Sequence, residues 1–253
     1  MRGFIAFARK EVVEILRTWR IWVLPGILLF FALTGPAMAR YTPEIVAAVA
    51  GSQLAGFTLP TPVYQDAYAQ WIKSLSQIGL FAVIIIYGGI VSSERRSGTA
   101  ALVLTKPVSR AGFVVAKTLV QALFLAVVVM AGAAITWGGT ALFFGIAPSR
   151  PLFAATGTWL AFGFLFVTVM TLLSVMVSSQ AGAAGIGLGI YVLVSIAGLW
   201  KPLGMYSPAA LVGGPATLAS GRAFDAGWPI ATTLMLAAAL IALAALSFNR
   251  KEL

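Results

Sequence analysis

The sequence predicts an all-α integral membrane protein with six transmembrane helices and an N-terminal amphipathic helix at the membrane interface. Composition is the first reason. Of the 253 residues 60% are hydrophobic and 9% charged, and a mean hydropathy of +0.97 leaves too little polar surface to cover a soluble core. Spacing is the second, because the charges fall in short clusters separated by uncharged stretches long enough to cross a bilayer. The third is the uneven sharing of lysine and arginine between alternate sides. Residues 1–253 read as one transmembrane domain.

An uncharged run of about 20 residues, rising about 1.5 Å each, matches the roughly 30 Å hydrocarbon layer. A charge at its centre costs about 3 kcal/mol on insertion scales. On that criterion the first span is 21–39 and the second 74–93, which ends in an almost continuous apolar run over 80–87. The third covers 118–146 and turns through Pro148. Residues 151–200 are uncharged but too long for one helix, and Ser178, Ser179, Gln180 and Gly182 divide them into spans 152–177 and 183–200. The sixth is 226–249, with Pro229 in its first turn, where a missing N–H does no harm.

Six spans put both termini on one side. That side carries Arg2, Arg9, Lys10, Arg17, Arg20, Arg95, Arg96, Lys106, Arg110, Lys117, Arg250 and Lys251, against Arg40, Lys73, Arg150, Lys201 and Arg222 on the other. The positive-inside rule therefore places both termini in the cytoplasm of a multi-pass plasma-membrane protein. Ala37-Met38-Ala39 has the small-x-small look of a processing site, but the long basic segment with Glu11 and Glu14 before it is unlike a signal peptide. On the outside, Ala67-Tyr68-Ala69-Gln70-Trp71 suggests an interfacial helix leading into the second span. Residues 201–225, broken by Pro202, Pro208 and Pro215, suggest a partly re-entrant turn.

Two cytoplasmic segments stand out. In the first, Phe4, Ile5, Ala8, Val12, Ile15, Leu16 and Trp19 share one helical arc, and Arg2, Arg9, Lys10, Arg17 and Arg20 share the other. Such a helix lies along the headgroup layer as an anchor, and its charged face is placed to touch a cytoplasmic partner. The second is the loop 94–117. Ser97-Gly98-Thr99 forms a turn, 100–104 a short apolar helix ended by Pro107, and Ser109 caps the helix entering the third span. A short helix held at the membrane edge by basic flanks suits a groove on a soluble protein, although a loop whose charges only set topology would read the same way.

Those residues carry a family resemblance. Ala8-Arg9-Lys10-Glu11, the six spans, Ser93-Glu94-Arg95-Arg96-Ser97-Gly98-Thr99, Leu104-Thr105-Lys106-Pro107-Val108-Ser109-Arg110 and the basic tail Phe248-Asn249-Arg250-Lys251-Glu252-Leu253 resemble ATP-binding-cassette type 2 permeases. The resemblance implies an exporter subunit that pairs with a second permease half, identical or related, and with separate cassette ATPases, on which ATP-Mg is bound. It makes the 94–117 loop a cytoplasmic coupling helix seated on the ATPase, with Glu94, Arg95, Arg96, Gly98, Thr99, Lys106, Pro107, Ser109 and Arg110 as its coupling positions. Ser178, Ser179 and Gln180 become a second coupling turn. The first helix, with Arg9, Lys10, Glu11, Glu14, Arg17 and Trp19, becomes a connecting helix at the interface.

The remaining signals fit that division of labour. The chain has neither cysteine nor histidine, which excludes disulfides, thiol chemistry and histidine acid-base catalysis. Its net charge of +10 is spread between apolar stretches, so anionic lipid rather than nucleic acid is the expected counter-charge. No phosphate-binding G-x-x-x-x-G-K-[ST] loop occurs, so the chain is expected to bind no cofactor and ATP is handled elsewhere. Ala181, Gly185 and Gly189 read as a helix-packing stripe, not a nucleotide fingerprint. Spans free of Asp, Glu, Lys and Arg disfavour coupling to an ion gradient. Thr136, Thr168, Thr171, Ser174 and Ser195 read as interhelical hydrogen-bond formers, and an apolar, hydroxylated path suits a lipid, peptide or amphipathic drug. Two other classes stay open: a scaffold or assembly subunit, and a lipid-modifying enzyme. For the enzyme, the available carboxylates Glu44, Asp66, Glu94 and Asp225 are scattered over both sides, with no catalytic or metal-binding cluster among them.

Overall fold

The structure is a computed structural model that describes residues 2–50, 60–99 and 109–250; these are helical, with no strand among them. In chain order the helices are α1 (Arg2–Arg17), α2 (Arg20–Ala50), α3 (Tyr64–Ser74), α4 (Leu80–Tyr87) and α5 (Ser92–Arg96). They continue with α6 (Arg110–Phe144), α7 (Ser149–Met176), α8 (Gln180–Ala197), α9 (Lys201–Tyr206), α10 (Ala210–Ala219) and α11 (Gly227–Asn249). A π-helical turn, Leu75–Gly79, joins α3 to α4. Among the described residues six helices are long and apolar enough to cross a membrane: Ile21–Val49, Tyr64–Arg96, Arg110–Phe144, Ser149–Met176, Gln180–Ala197 and Gly227–Asn249. The protein is an all-helical, multi-pass membrane protein.

Several of these helices outrun the uncharged stretches that mark them in sequence. The first continues through Arg40 and Glu44, which pair across one turn at 3.6 Å and so remove the cost that stops a lone charge. The second starts at Tyr64, and the expected interfacial helix over 67–71 is its outer end. Ala67, Tyr68 and Trp71 are buried in the bundle instead of lying at its rim. The reason is their polar handles. Trp71 Nε1 donates to Thr156 Oγ1 at 3.2 Å and the Tyr68 hydroxyl donates to the Pro148 carbonyl at 3.0 Å, so both rings are satisfied inside the protein. In 201–225, α9 and α10 are two short helices, and α10 packs on α7 and α3 with Leu211 buried.

Helix α7 is the centre of the bundle, touched by α4, α6, α8, α10 and α11. Its sequence suits that place: Trp159, Phe162, Phe166 and Met170 are buried, as are Thr156, Thr168, Thr171 and Ser174. Where the chain needs close approach it uses glycine. A Cβ on Gly132 of α6 would stand 2.3 Å from the Trp71 ring. Three rings close one end of the bundle: Phe7 of α1 stacks on Phe113 of α6 at 5.0 Å, which stacks on Phe248 of α11 at 5.3 Å. This end, which also holds α5 and the α7–α8 turn, is the basic end.

Gly132→Ala is expected to cost about 1–3 kcal/mol by overpacking against Trp71. Gly138→Ala on the same helix, where a Cβ meets nothing within 4 Å, should be neutral or slightly stabilising. Thermal unfolding of the two variants in detergent compares them directly.

Candidate functional site

At the basic end the fold gathers five charged side chains from three segments. Lys117, on α6, donates from Nζ to Glu11 Oε2 at 2.7 Å and to Glu94 Oε1 at 2.9 Å. Lys10 donates to Glu11 Oε1 at 3.1 Å and to Glu94 Oε1 at 3.0 Å, and also to Glu14. The side chains of Lys117 and Glu11 are 0% and 1% exposed, Glu94 10% and Lys10 41%. A buried ammonium and a buried carboxylate are tolerable only in company like this. Glu94 Oε2 and both side-chain amide atoms of Gln121, one turn along α6, are buried without a hydrogen-bond partner among the described residues.

Local sequence explains the convergence. Phe7, Glu11 and Ile15 recur every fourth residue and form the buried stripe of α1. Phe113, Lys117 and Gln121 do the same on α6. Burial alone would lower the pKa of Lys10, but the hydrogen bond it donates to Glu14 and the attraction of Glu11 and Glu94 outweigh it, so the net shift is upward. With its folded value raised, the contribution of Lys10 is complete below the unfolded lysine value of about 10.4 and is lost as pH climbs through the folded value. The carboxylates of Glu11, Glu14 and Glu94 lie within 4.8 Å of one another, as metal ligands do. The two ammonium groups hydrogen-bonded to them already supply the counter-charge a cation would bring.

A second set of bonds fastens α5 to the end of α7. Arg95 Nη1 donates to the Val175 carbonyl at 3.0 Å, satisfying the last turn of α7. Ser174 Oγ accepts the backbone N–H groups of Val91 and Ser92 at 2.9 and 3.0 Å, where the chain breaks between α4 and α5. From the following turn, Gln180 Nε2 donates to the Ile85 carbonyl at 2.9 Å. Gly88 lies so near that a Cβ there would be 2.9 Å from the Gln180 carbonyl oxygen. The α5 helix ends at Gly98, whose φ of +73° is left-handed, while Ser97 and Thr99 hydroxyls donate to the Glu94 carbonyl. Ser109 caps α6 by accepting from Gly112 N at 3.0 Å, and Arg110 donates to the Asn249 carbonyl at 3.0 Å. Ser179 caps α8 through Gly182 N.

Thus Glu94, Lys10, Glu11 and Glu14 meet around Lys117, and Arg95 reaches the end of α7 instead. Ser178 and Ser179 lie in the turn before α8 from which Gln180 reaches α4, and Arg96, Arg9, Arg17 and Trp19 are exposed. Lys106, Pro107 and the short helix expected over 100–104 lie outside the described residues. Two readings need correction. The helices that form the spans run on past the uncharged stretches and carry ionisable residues that are paired, Lys117 with Glu11 and Glu94 and Arg40 with Glu44. Of the apolar arc of α1, Phe4, Ile5, Val12, Leu16 and Trp19 are exposed, as an interfacial helix with lipid beneath it requires, whereas Ile15 is buried against the bundle. The stripe Ala181, Gly185 and Gly189 faces outward. Close contact is made instead by Ala183, Ala184 and Gly187, the last so near Met170 that a Cβ would stand 2.5 Å from its sulfur. Glu11 and Lys117 are the central residues that sequence reasoning placed outside the core. The i, i+4 stripes Phe7-Glu11-Ile15 and Phe113-Lys117-Gln121 were the available signal.

Comparison with known proteins adds a family. The model of the family described as "Protein of unknown function (DUF2705)" matches residues 53–253. The chain belongs to that family. The DUF2705 match covers Glu94, Lys117 and the α7–α8 turn and leaves out α1. The chain is also similar, 25% identical over 100% of its length and 99% of the relative's, to the uncharacterized transmembrane protein YxlG of Bacillus subtilis (strain 168). It is 29% identical over 195 residues to the probable ABC transporter permease protein NosY of Stutzerimonas stutzeri, which covers 74% of this chain and 64% of that protein.

Replacing Lys117 by Met is expected to cost about 3–5 kcal/mol, because Glu11 and Glu94 stay buried with one ammonium fewer. Adding Glu11→Gln and Glu94→Gln should recover much of the loss. Unfolding midpoints of the single and triple variants measure this; equal midpoints for Lys117→Met and wild type would mean the cluster carries no stability.

Proposed function

We propose that this chain is the membrane-spanning subunit of an ABC-type exporter. It pairs with a second permease half and receives work from a separate cassette ATPase, with both termini in the cytoplasm and the chain in the plasma membrane. The observation that carries the reading is the lashing of α1 and α5 to each other and to α6, and of α5 to the end of α7. Lys117 joins α1 and α5 to α6, and Arg95 and Ser174 join α5 to α7. The distant similarity to NosY supports the same reading. A coupling element must pass force to the spans without yielding, and charge-assisted bonds from the stem of the α5–α6 loop into two central helices meet that need.

In this mechanism ATP-driven closure of the partner ATPases presses on the loop after α5. The stem moves with α1 and the α7–α8 turn as one body, and the spans rock to open the path outward. The chain itself contributes no catalytic group and binds no nucleotide; ATP-Mg is held by the partner.

Mild-detergent purification of the tagged chain from its native host, with mass spectrometry and an ATPase assay, tests the reading. A co-purifying Walker-motif ATPase is the expected outcome, and a chain that comes out alone even after crosslinking would overturn it. Gly98→Pro, which cannot adopt the left-handed φ, and Arg95→Glu are expected to keep insertion and ATPase binding while transport per ATP falls about tenfold or more, the equivalent of one charge-assisted bond. Normal coupling in both variants would remove the loop from the mechanism.

A further inference from the structure

At the end opposite the ionic cluster, α2 and α3 part around a cleft of about 520 Å³, lined among others by Met38, Pro43, Pro62, Asp66, Gln70 and Lys73. Lys73 is the innermost of the α3 residues lining it, and helical side chains lean toward the N-terminus, which directs its ammonium outward along the cleft. Among the described residues no carboxylate lies within ion-pair distance of Lys73, whereas Arg40 at the same end is paired to Glu44. Asp66, two turns away, accepts the backbone N–H of Val63 at 2.8 Å.

Depth gives the cleft a meaning. Lys73 and Glu94 lie toward opposite ends of the span Tyr64–Arg96. At about 1.5 Å per residue the helix covers about 21 Å from Lys73 to Tyr87, and the turn into α5 carries the chain on to Glu94, toward the roughly 30 Å hydrocarbon thickness. With the ionic cluster at one boundary, Lys73 is at headgroup level in the opposite leaflet. Inward from it, beyond the residues that line the cleft, Gln77, Phe81 and Ile85 follow about one turn apart on the exposed side of the same helix, Phe81 edge-on to Tyr191 of α8. The order cation, amide, phenyl, aliphatic runs from membrane surface to membrane interior, and it is the order of polarity in an amphiphile with an anionic head.

We propose that the cleft between α2 and α3 binds the anionic headgroup of an amphiphile on Lys73, with the apolar part leaving the cleft along the exposed side of the second helix past Phe81 and Ile85. The binding stands on the geometry alone; that the bound amphiphile is the exporter's cargo rests on the permease reading above.

The test uses the full chain in phosphatidylcholine nanodiscs containing a minor fraction of phosphatidylglycerol, with retained lipid counted by native mass spectrometry. Wild type and Lys73→Arg are expected to retain phosphatidylglycerol selectively. Lys73→Ala should lose that preference about tenfold, as the loss of one charge-assisted contact implies, and Arg40→Ala should behave as wild type. Retention unchanged in Lys73→Ala, or lost equally in Arg40→Ala, would reduce the site to diffuse attraction of headgroups and overturn the proposal. Displacement of the lipid by inorganic phosphate would assign the site to a free anion and also overturn it. Unfolding midpoints confirm that each variant is folded. ATPase co-purification, read on the same preparations, separates the two hypotheses. Selective retention without an ATPase leaves the site and sinks the exporter, and an ATPase without selectivity does the reverse.

Discussion

An ammonium group taken out of water costs several kcal/mol unless carboxylates surround it, and Lys117 is wholly buried on α6. That constraint organises the basic end of the molecule. One carboxylate comes from α1, which must therefore lie against α6 along Phe7, Glu11 and Ile15 although its more apolar arc faces away. The other comes from α5, so the stem of the loop between the second and third spans is drawn to the same point. Lys10 enters because two carboxylates around one ammonium would leave an excess negative charge, and its bonds to Glu11, Glu14 and Glu94 reduce it. The aromatic stack Phe7, Phe113 and Phe248 then fills the space beneath the charges and brings in the last helix.

A bilayer supplies no hydrogen bonds, so backbone groups freed where helices break must find partners inside the protein. The break between α4 and α5 frees the N–H groups of Val91 and Ser92, and Ser174 takes both. The end of α7 frees the Val175 carbonyl, and Arg95 takes it. Each repair crosses from one segment to another, so the irregular points of the chain become its joints. Thr118 on Thr171 and Thr136 on the Ala32 carbonyl tie further helices in the same way. Thr168 and Ser195 bond within their own helices instead, which spacing alone does not distinguish.

The number and order of the spans were legible because a charge-free run of about 20 residues has few other physical meanings. Their ends were less legible. The rule that a charge ends a span assumes the charge is alone, and Arg40 with Glu44, or Lys117 with Glu11 and Glu94, violate that assumption. Glu94 and Arg95 were legible as part of the loop after the second span, as were the cap at Ser109 and the turn at Ser178 and Ser179. The partnership of Glu11 with Lys117, residues far apart in the chain, is a tertiary fact; sequence shows only that each sits every fourth residue from an aromatic ring. The outward turn of Ala181, Gly185 and Gly189 was hidden for a related reason. Small residues permit close approach on any face of α8, and only the position of Met170 selects the face bearing Gly187.

The second helix connects the two ends of the molecule, and its irregularities mark where it yields. Below, α4 and α5 are bound to α7 and to the following turn through Ser174, Arg95 and Gln180. Above, α3 is bound to the other end of α7 through Trp71 and to the Pro148 carbonyl just before that helix through Tyr68. Between them lies the π-helical turn Leu75–Gly79, a geometry that carries poorer backbone bonds than its flanks and is often found at functional sites. A helix held at both ends and weakest in the middle transmits displacement as a change of bend rather than a translation. Lys73 and the cleft stand immediately outward of that turn, and Glu94 with the ionic cluster stands inward of it. On the exporter reading, a push on the α5 stem therefore changes the angle between α2 and α3, which sets the width of the cleft.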